Sequence, residues 1–129
     1  MTLLAICSQD INSITLGLKK DGDFIERQFD DIQPDDQLKM IDIFLSEQNA
    51  LLDDLTGIVV VTGPGSFTAS RTSVVIANTI GFTKSIPIWG VENVERHSLA
   101  DVVQSIDFSK LPEIHHFVSP SYDRPARIT

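Results

Sequence analysis

The stretch TGPGSFTASR, Thr62 to Arg71, holds the residues of this chain whose types and spacing could do chemistry. Gly63 and Gly65 permit backbone angles closed to other residues and let a neighbouring segment come close. Pro64 stiffens the bend between them. Ser66 can cap a following helix, its oxygen accepting an amide hydrogen from Thr68 or Ala69. Free amides at a helix start can also hold an anion. Gly63, Gly65, Ser66, Phe67, Thr68 and Arg71 therefore form a candidate phosphate-binding turn, with a tight turn that serves only the fold as the alternative. The lysine and spacing of a P-loop are missing.

The remaining reactive residue types are sparse. Cys7 is the single cysteine, so no intrachain disulfide forms, and a reducing, cytoplasmic setting is expected. No His or Lys stands near Cys7 in sequence, which favours a small buried residue over a nucleophile or redox group. His97, His115 and His116 lack metal-ligand spacing, and neighbours on a strand point to opposite faces. No Ser–His–Asp arrangement follows from spacing. Trp89 and Tyr122 read as packing residues. Arg71 sits near a helix N-terminus, where the dipole disfavours a cation, so a carboxylate partner is expected. No catalytic residue, metal or cofactor is expected.

The elements that must position these residues follow from pattern. Leu3–Ser8 is a short apolar run, and Ile14, Leu16 and Leu18 alternate with polar or small residues. Asp21–Gly22 marks a turn, and Phe24–Phe29 returns as a third strand. Pro34, Asp35 and Asp36 open a helix that ends near Asn49. Leu55–Thr62 suits a strand buried on both faces. A helix over Phe67–Thr83, a strand over Ile86–Val91 and a helix over Asn93–Gln104 follow. Ile114–Val118 reads as one more strand. The class is α/β with a mixed sheet.

A chain of 129 residues with a net charge of −8 fits one domain. It has no block of Lys or Arg to neutralise a nucleic-acid backbone, so direct nucleic-acid binding is not expected. No apolar run spans a membrane, and the start lacks the layout of a signal peptide.

The run GPGSFT, after an apolar strand and before Arg71, resembles the G-P-G-S-F-T-G-x-R motif of the TsaB family. LLAICS is similar to that family's opening L-A-I-D-T-S, and IPIWGVENVERHSLA to its P-x-x-G-V segment. The similarity covers roughly Leu3 to Ala100. Cys7 stands where the family has Asp, Ser8 where it has Thr, and Ala69 where it has Gly. The resemblance implies an actin/Hsp70/sugar-kinase (ASKHA) lobe over residues 1–112, with 113–129 beginning a second lobe that is missing. It also implies a non-catalytic partner of the TsaD protein, working with the ATPase TsaE in adding threonylcarbamoyl to tRNA adenosine beside the anticodon. The family pairs through the two helices matched here by Asp35–Asn49 and Phe67–Thr83.

Both helices look too apolar for one sheet to cover. Thr72–Thr83 carries no charge, and Leu38, Ile41 and Leu45 share a face. Leu38, Ile41, Leu45, Val74, Val75 and Asn78 are the expected contacts with a TsaD-like partner or, in its absence, a second copy. The alternatives are a nucleotide- or phosphate-binding enzyme using the GPGS turn, or a homodimeric protein-binding module. The charge balance generates the first prediction. The pure chain should not retard tRNA in a gel at physiological salt, and a salt-sensitive shift would refute the reading of its charge.

Overall fold

A computed structural model describes residues 1–109. Strands β1 (Thr2–Cys7), β2 (Ser13–Lys20) and β3 (Asp23–Asp30) form an antiparallel meander. Helix α1 (Gln37–Glu47), strand β4 (Gly57–Gly63), helix α2 (Phe67–Lys84), strand β5 (Ile88–Glu92) and helix α3 (Leu99–Gln104) follow. The sheet order is β3-β2-β1-β4-β5, with β4 parallel to both β1 and β5.

Local chemistry explains this layout. Asp21 and Gly22 both take positive φ, 52° and 89°, the conformation a two-residue hairpin demands. All seven residues of β4 are buried, as its unbroken apolar run requires in an interior strand, between β1 and β5, of a sheet covered on both faces. On one face Leu4, Ile6, Ile14, Leu16 and Phe29 pack with Ile41, Phe44, Leu45, Val74, Ala77 and Ile80 of α1 and α2. On the other, Ala5, Val59 and Val61 meet Leu99, Val102 and Val103 of α3. Trp89 packs on this second face, edge to the Phe108 ring with centroids 5.0 Å apart.

The third helix is shorter than its sequence suggests. It starts at Leu99 rather than Asn93, because the Asn93 side chain turns back on its own loop. Its Oδ1 accepts from the His97 amide and its Nδ2 donates to the His97 carbonyl, both at 2.9 Å. Ser98 then caps the helix by accepting from the Asp101 amide. Helix α2 is not covered all round by this chain either. Its inner face is covered by this chain, while Val75 and Phe82 are 53% and 78% exposed. The strand expected at Ile114–Val118 and the segment 113–129 lie outside the described residues. Among the described residues no helix is long and apolar enough to cross a membrane.

One polar side chain sits deep between the helices and the sheet. Gln37, 1% exposed, donates from Nε2 to Ser8 Oγ and to the Ala69 carbonyl, each at 3.2 Å. Its Oε1 accepts from Ser73 Oγ at 2.8 Å. Ser8 Oγ in turn donates to the Ser13 carbonyl at 2.7 Å. This chain of bonds sets the end of β1 against both helices. Gln37→Ala removes bulk and takes the acceptor from the buried Ser73 hydroxyl and a donor from the Ala69 carbonyl, so it should cost about 2–4 kcal/mol in urea unfolding with an unchanged m-value. A cost below about 0.5 kcal/mol would show the network to be dispensable.

Candidate functional site

The parallel strands β1, β4 and β5 end at the same edge of the sheet, the edge where α/β folds place ligands. Here the residues after β1, the turn after β4 and the first residue after β5 converge. Gly63 has φ 130°, in the region that favours glycine, and the Gly63–Pro64 peptide is cis. A side chain at Gly65 would bring its Cβ to 2.4 Å from the Gln9 carbonyl oxygen, so only glycine lets the turn lie this close to β1.

Gln9 fills the junction. Its Nε2 donates to the Pro64 carbonyl at 2.7 Å and to the Asn93 carbonyl at 2.9 Å. Its Oε1 accepts from Asn93 Nδ2 at 3.4 Å. The Ser66 amide donates to the Gln9 carbonyl at 2.7 Å, and the Asn93 amide to the Gly63 carbonyl at 2.8 Å. Ser66 caps α2 as its sequence position suggests, its Oγ accepting from the Ala69 amide at 3.3 Å. Two of the amides that could greet an anion are thus already bonded within the chain. Phe67, Thr68 and Arg71 face outward on the first turns of α2. Arg71 makes no ion pair among the described residues, so the carboxylate expected beside it does not come from them.

Cys7 borders a separate cavity of about 380 Å³, lined also by Thr15, Glu26, Gln28, Arg96, His97 and Ser98. Arg96 is held by Asp10 at 2.9 Å. Burial pushes the Cys7 thiol from its ordinary 9.0 up to about 11, against a weaker opposing pull from Gln9 and Arg96. The thiol is therefore protonated at neutral pH, a poor nucleophile and a poor metal ligand.

The six residues expected at a partner surface separate into two groups. Ile41, Leu45 and Val74 are packed in this chain's own core, turned toward the sheet. Leu38 and Val75 are 54% and 53% exposed, and Asn78 is half-buried. Sequence reasoning missed Gln9, Gln37 and Asn93. Their partners lie up to 84 residues away, so no local spacing marks them.

The family model for TsaD, tRNA N6-adenosine threonylcarbamoyltransferase, matches residues 36–119. A tRNA N6-adenosine threonylcarbamoyltransferase of Listeria welshimeri is 36% identical over 62 residues, which is 48% of this chain and 18% of that protein. YeaZ from Pseudomonas aeruginosa superposes with a TM-score of 0.66 at 22% identity, covering 72% of this chain and 44% of its own. A second structure, described as having similarity to peptidase YeaZ from Pseudomonas aeruginosa, superposes with a TM-score of 0.65 at 23% identity and the same coverage. The chain thus spans less than half the length of each. The fold is an ASKHA lobe of the YeaZ kind, as the sequence resemblance implies.

The environment of Cys7 generates a prediction with a definite sign. The folded state favours the protonated thiol, so this contribution to stability is complete below pH 9.0 and is lost as pH climbs through about 11. Iodoacetamide should accordingly modify the native protein at pH 8 roughly a hundredfold more slowly than the urea-unfolded chain, read by mass spectrometry. Equal rates would mean that Cys7 is not held this way.

Proposed function

The chain belongs to the TsaD family, and from that premise we propose that it is a non-catalytic, TsaB-like subunit in the formation of threonylcarbamoyladenosine on tRNA. Its working partner is a TsaD-like protein, with a TsaE-like ATPase in the same assembly. The observation that carries this reading is the filled strand-end junction. The edge of the sheet where a relative of this fold would hold a ligand is occupied by Gln9, which joins the Pro64 and Asn93 carbonyls to β1. The residue at the position of the family's aspartate is Cys7, a neutral thiol. Neither group brings charge to a phosphate or a metal.

The outer face of α2 supports a pairing role. Val75 and Phe82 lie seven residues apart on one side of the helix, both more than half exposed, and Phe67 adds a third apolar side chain along that side. Arg71 stands on the same face and would gain from a carboxylate supplied by the partner. With a chain charge of −8, contact with tRNA falls to the partner. A second copy takes the same face when no partner is present.

Val75→Glu and Phe82→Glu test this directly, because both side chains point outward and the fold should survive. The parent should form a one-to-one complex with a TsaD-like protein from the same genome, seen as a single heavier species by light scattering. Each variant should weaken it by about tenfold or more, with circular dichroism unchanged. Full retention in both variants would remove α2 from the interface. Failure of the parent to pair would remove the assembly reading itself.

A further inference from the structure

The cavity beside Cys7 lies on the opposite side of the sheet from α1 and α2, and its two walls carry opposite chemistry. Strand register sets the first wall. Cys7, Thr15 and Gln28 lie opposite one another across β1, β2 and β3. Such neighbours share a face of the sheet, and Glu26, two positions before Gln28, lies on it too. Cys7 packs with the α3 cluster, so this is the face that α3 covers. That cover is short. Helix α3 has six residues, and its Leu99 joins Phe24 in filling the space above Gly17. Beyond Gly17 the row stays open as a cavity of about 380 Å³, near the lower end for a small-molecule site.

The polar groups on this space are largely uncommitted. Among the described residues the Glu26 carboxylate, the Thr15 hydroxyl and the His97 ring make no hydrogen bond or ion pair. Gln28 Nε2 donates to Asp30 Oδ1 at 2.8 Å, which leaves its carbonyl oxygen as an acceptor. The facing wall is the loop after β5, which supplies Arg96 and His97. Arg96 takes φ 52°, a conformation seldom adopted by arginine, and gives one bond to Asp10 at 2.9 Å. A guanidinium has further N–H donors to offer. Beyond burial and the Gln9 bond, the Cys7 thiol feels the opposing charges of Arg96 and of Asp10 and Glu26, which places both signs near one point.

We propose that this cavity binds a free α-amino acid with a small, uncharged side chain, its ammonium on Glu26 and its carboxylate on Arg96. Thr15 and Gln28 accept the other ammonium hydrogens, and His97 adds a donor to the carboxylate. A simple anion would meet Glu26, Asp10 and a chain charge of −8, and a simple cation would meet Arg96. A zwitterion answers both walls. A charged side chain would bring a third charge against the neutral thiol and Leu99, where nothing pairs with it. The protonated Cys7 supplies no nucleophile, so the site holds its ligand without turning it over. It is separate from the outer face of α2 and does not depend on the pairing proposed above.

Titration of L-alanine into the isotope-labelled full-length protein, followed by amide NMR, tests this. The Thr15, Gln28 and His97 signals should shift together and saturate with a Kd below about 1 mM. Lactate, which lacks the ammonium, and alaninamide, which lacks the carboxylate, should each bind at least about tenfold more weakly. Glu26→Gln and Arg96→Gln, at exposed positions that the fold should tolerate, should each weaken alanine by about tenfold or more. Asp23→Asn, at the far end of β3, and Arg71→Gln, on α2, remove the same charges elsewhere and should leave affinity within about twofold. Lactate or alaninamide binding as tightly as alanine would reduce the cavity to a site for one charge and overturn the proposal. Equal losses in the Asp23 and Glu26 variants would overturn it too, in favour of diffuse charge. So would unshifted signals at about 10 mM alanine.

Discussion

A sheet whose parallel strands all end at one edge must satisfy the polar backbone collected there, and in this chain Gln9 does so. One side-chain amide ties its own segment, at the end of β1, to two others far away in sequence, the turn after β4 and the loop after β5. A buried amide left without partners would cost on the order of 1–3 kcal/mol, so the segments are fixed together or not at all. The tight approach of Gly65 to the Gln9 backbone follows from this, as does the start of α2 at Ser66. Gln37 repeats the arrangement one layer out, binding both helices to Ser8. The cost of this design is a strand-end edge with little left to offer a ligand.

Function then moves to the helices. Their inner faces complete the core with Ile41, Phe44, Leu45, Val74 and Ala77, so what remains for other molecules is the outward surface. On α2 that surface is apolar, with Arg71 making no ion pair among the described residues, and on the far flank of α1 it is an apolar trough edged by Asp35, Lys39 and Asp42. Under the proposed function, an acidic chain with such surfaces holds a protein and leaves nucleic acid to that partner.

Much of the fold was legible in the sequence because its signals are local. Asp21–Gly22 sits at the hairpin, the apolar run ending at Thr62 forms the fully buried strand β4, and Ser66 caps the helix that its position implies. What could not be read depends on contacts distant in sequence. The apolar stripe of α1 was visible, but which of its residues met the sheet was not, so Ile41 and Leu45 were grouped with the exposed Leu38. Asn93 looked like the start of a helix, yet its amide finds the His97 backbone and delays the helix to Leu99. The glycine turn invited an anion on local grounds alone. Of its amides, that of Ser66 bonds the carbonyl of Gln9, a residue more than fifty positions earlier.

Hydrogen exchange of the full chain, with and without a TsaD-like protein and with and without ATP and magnesium, tests the central claim most directly. The account predicts slowed exchange across Phe67–Lys84 on adding the protein partner, and no change at Ser8, Gln9 or Gly63–Ser66 on adding nucleotide. Protection at the Gly63–Ser66 turn by ATP, with α2 unaffected by the partner, would contradict it.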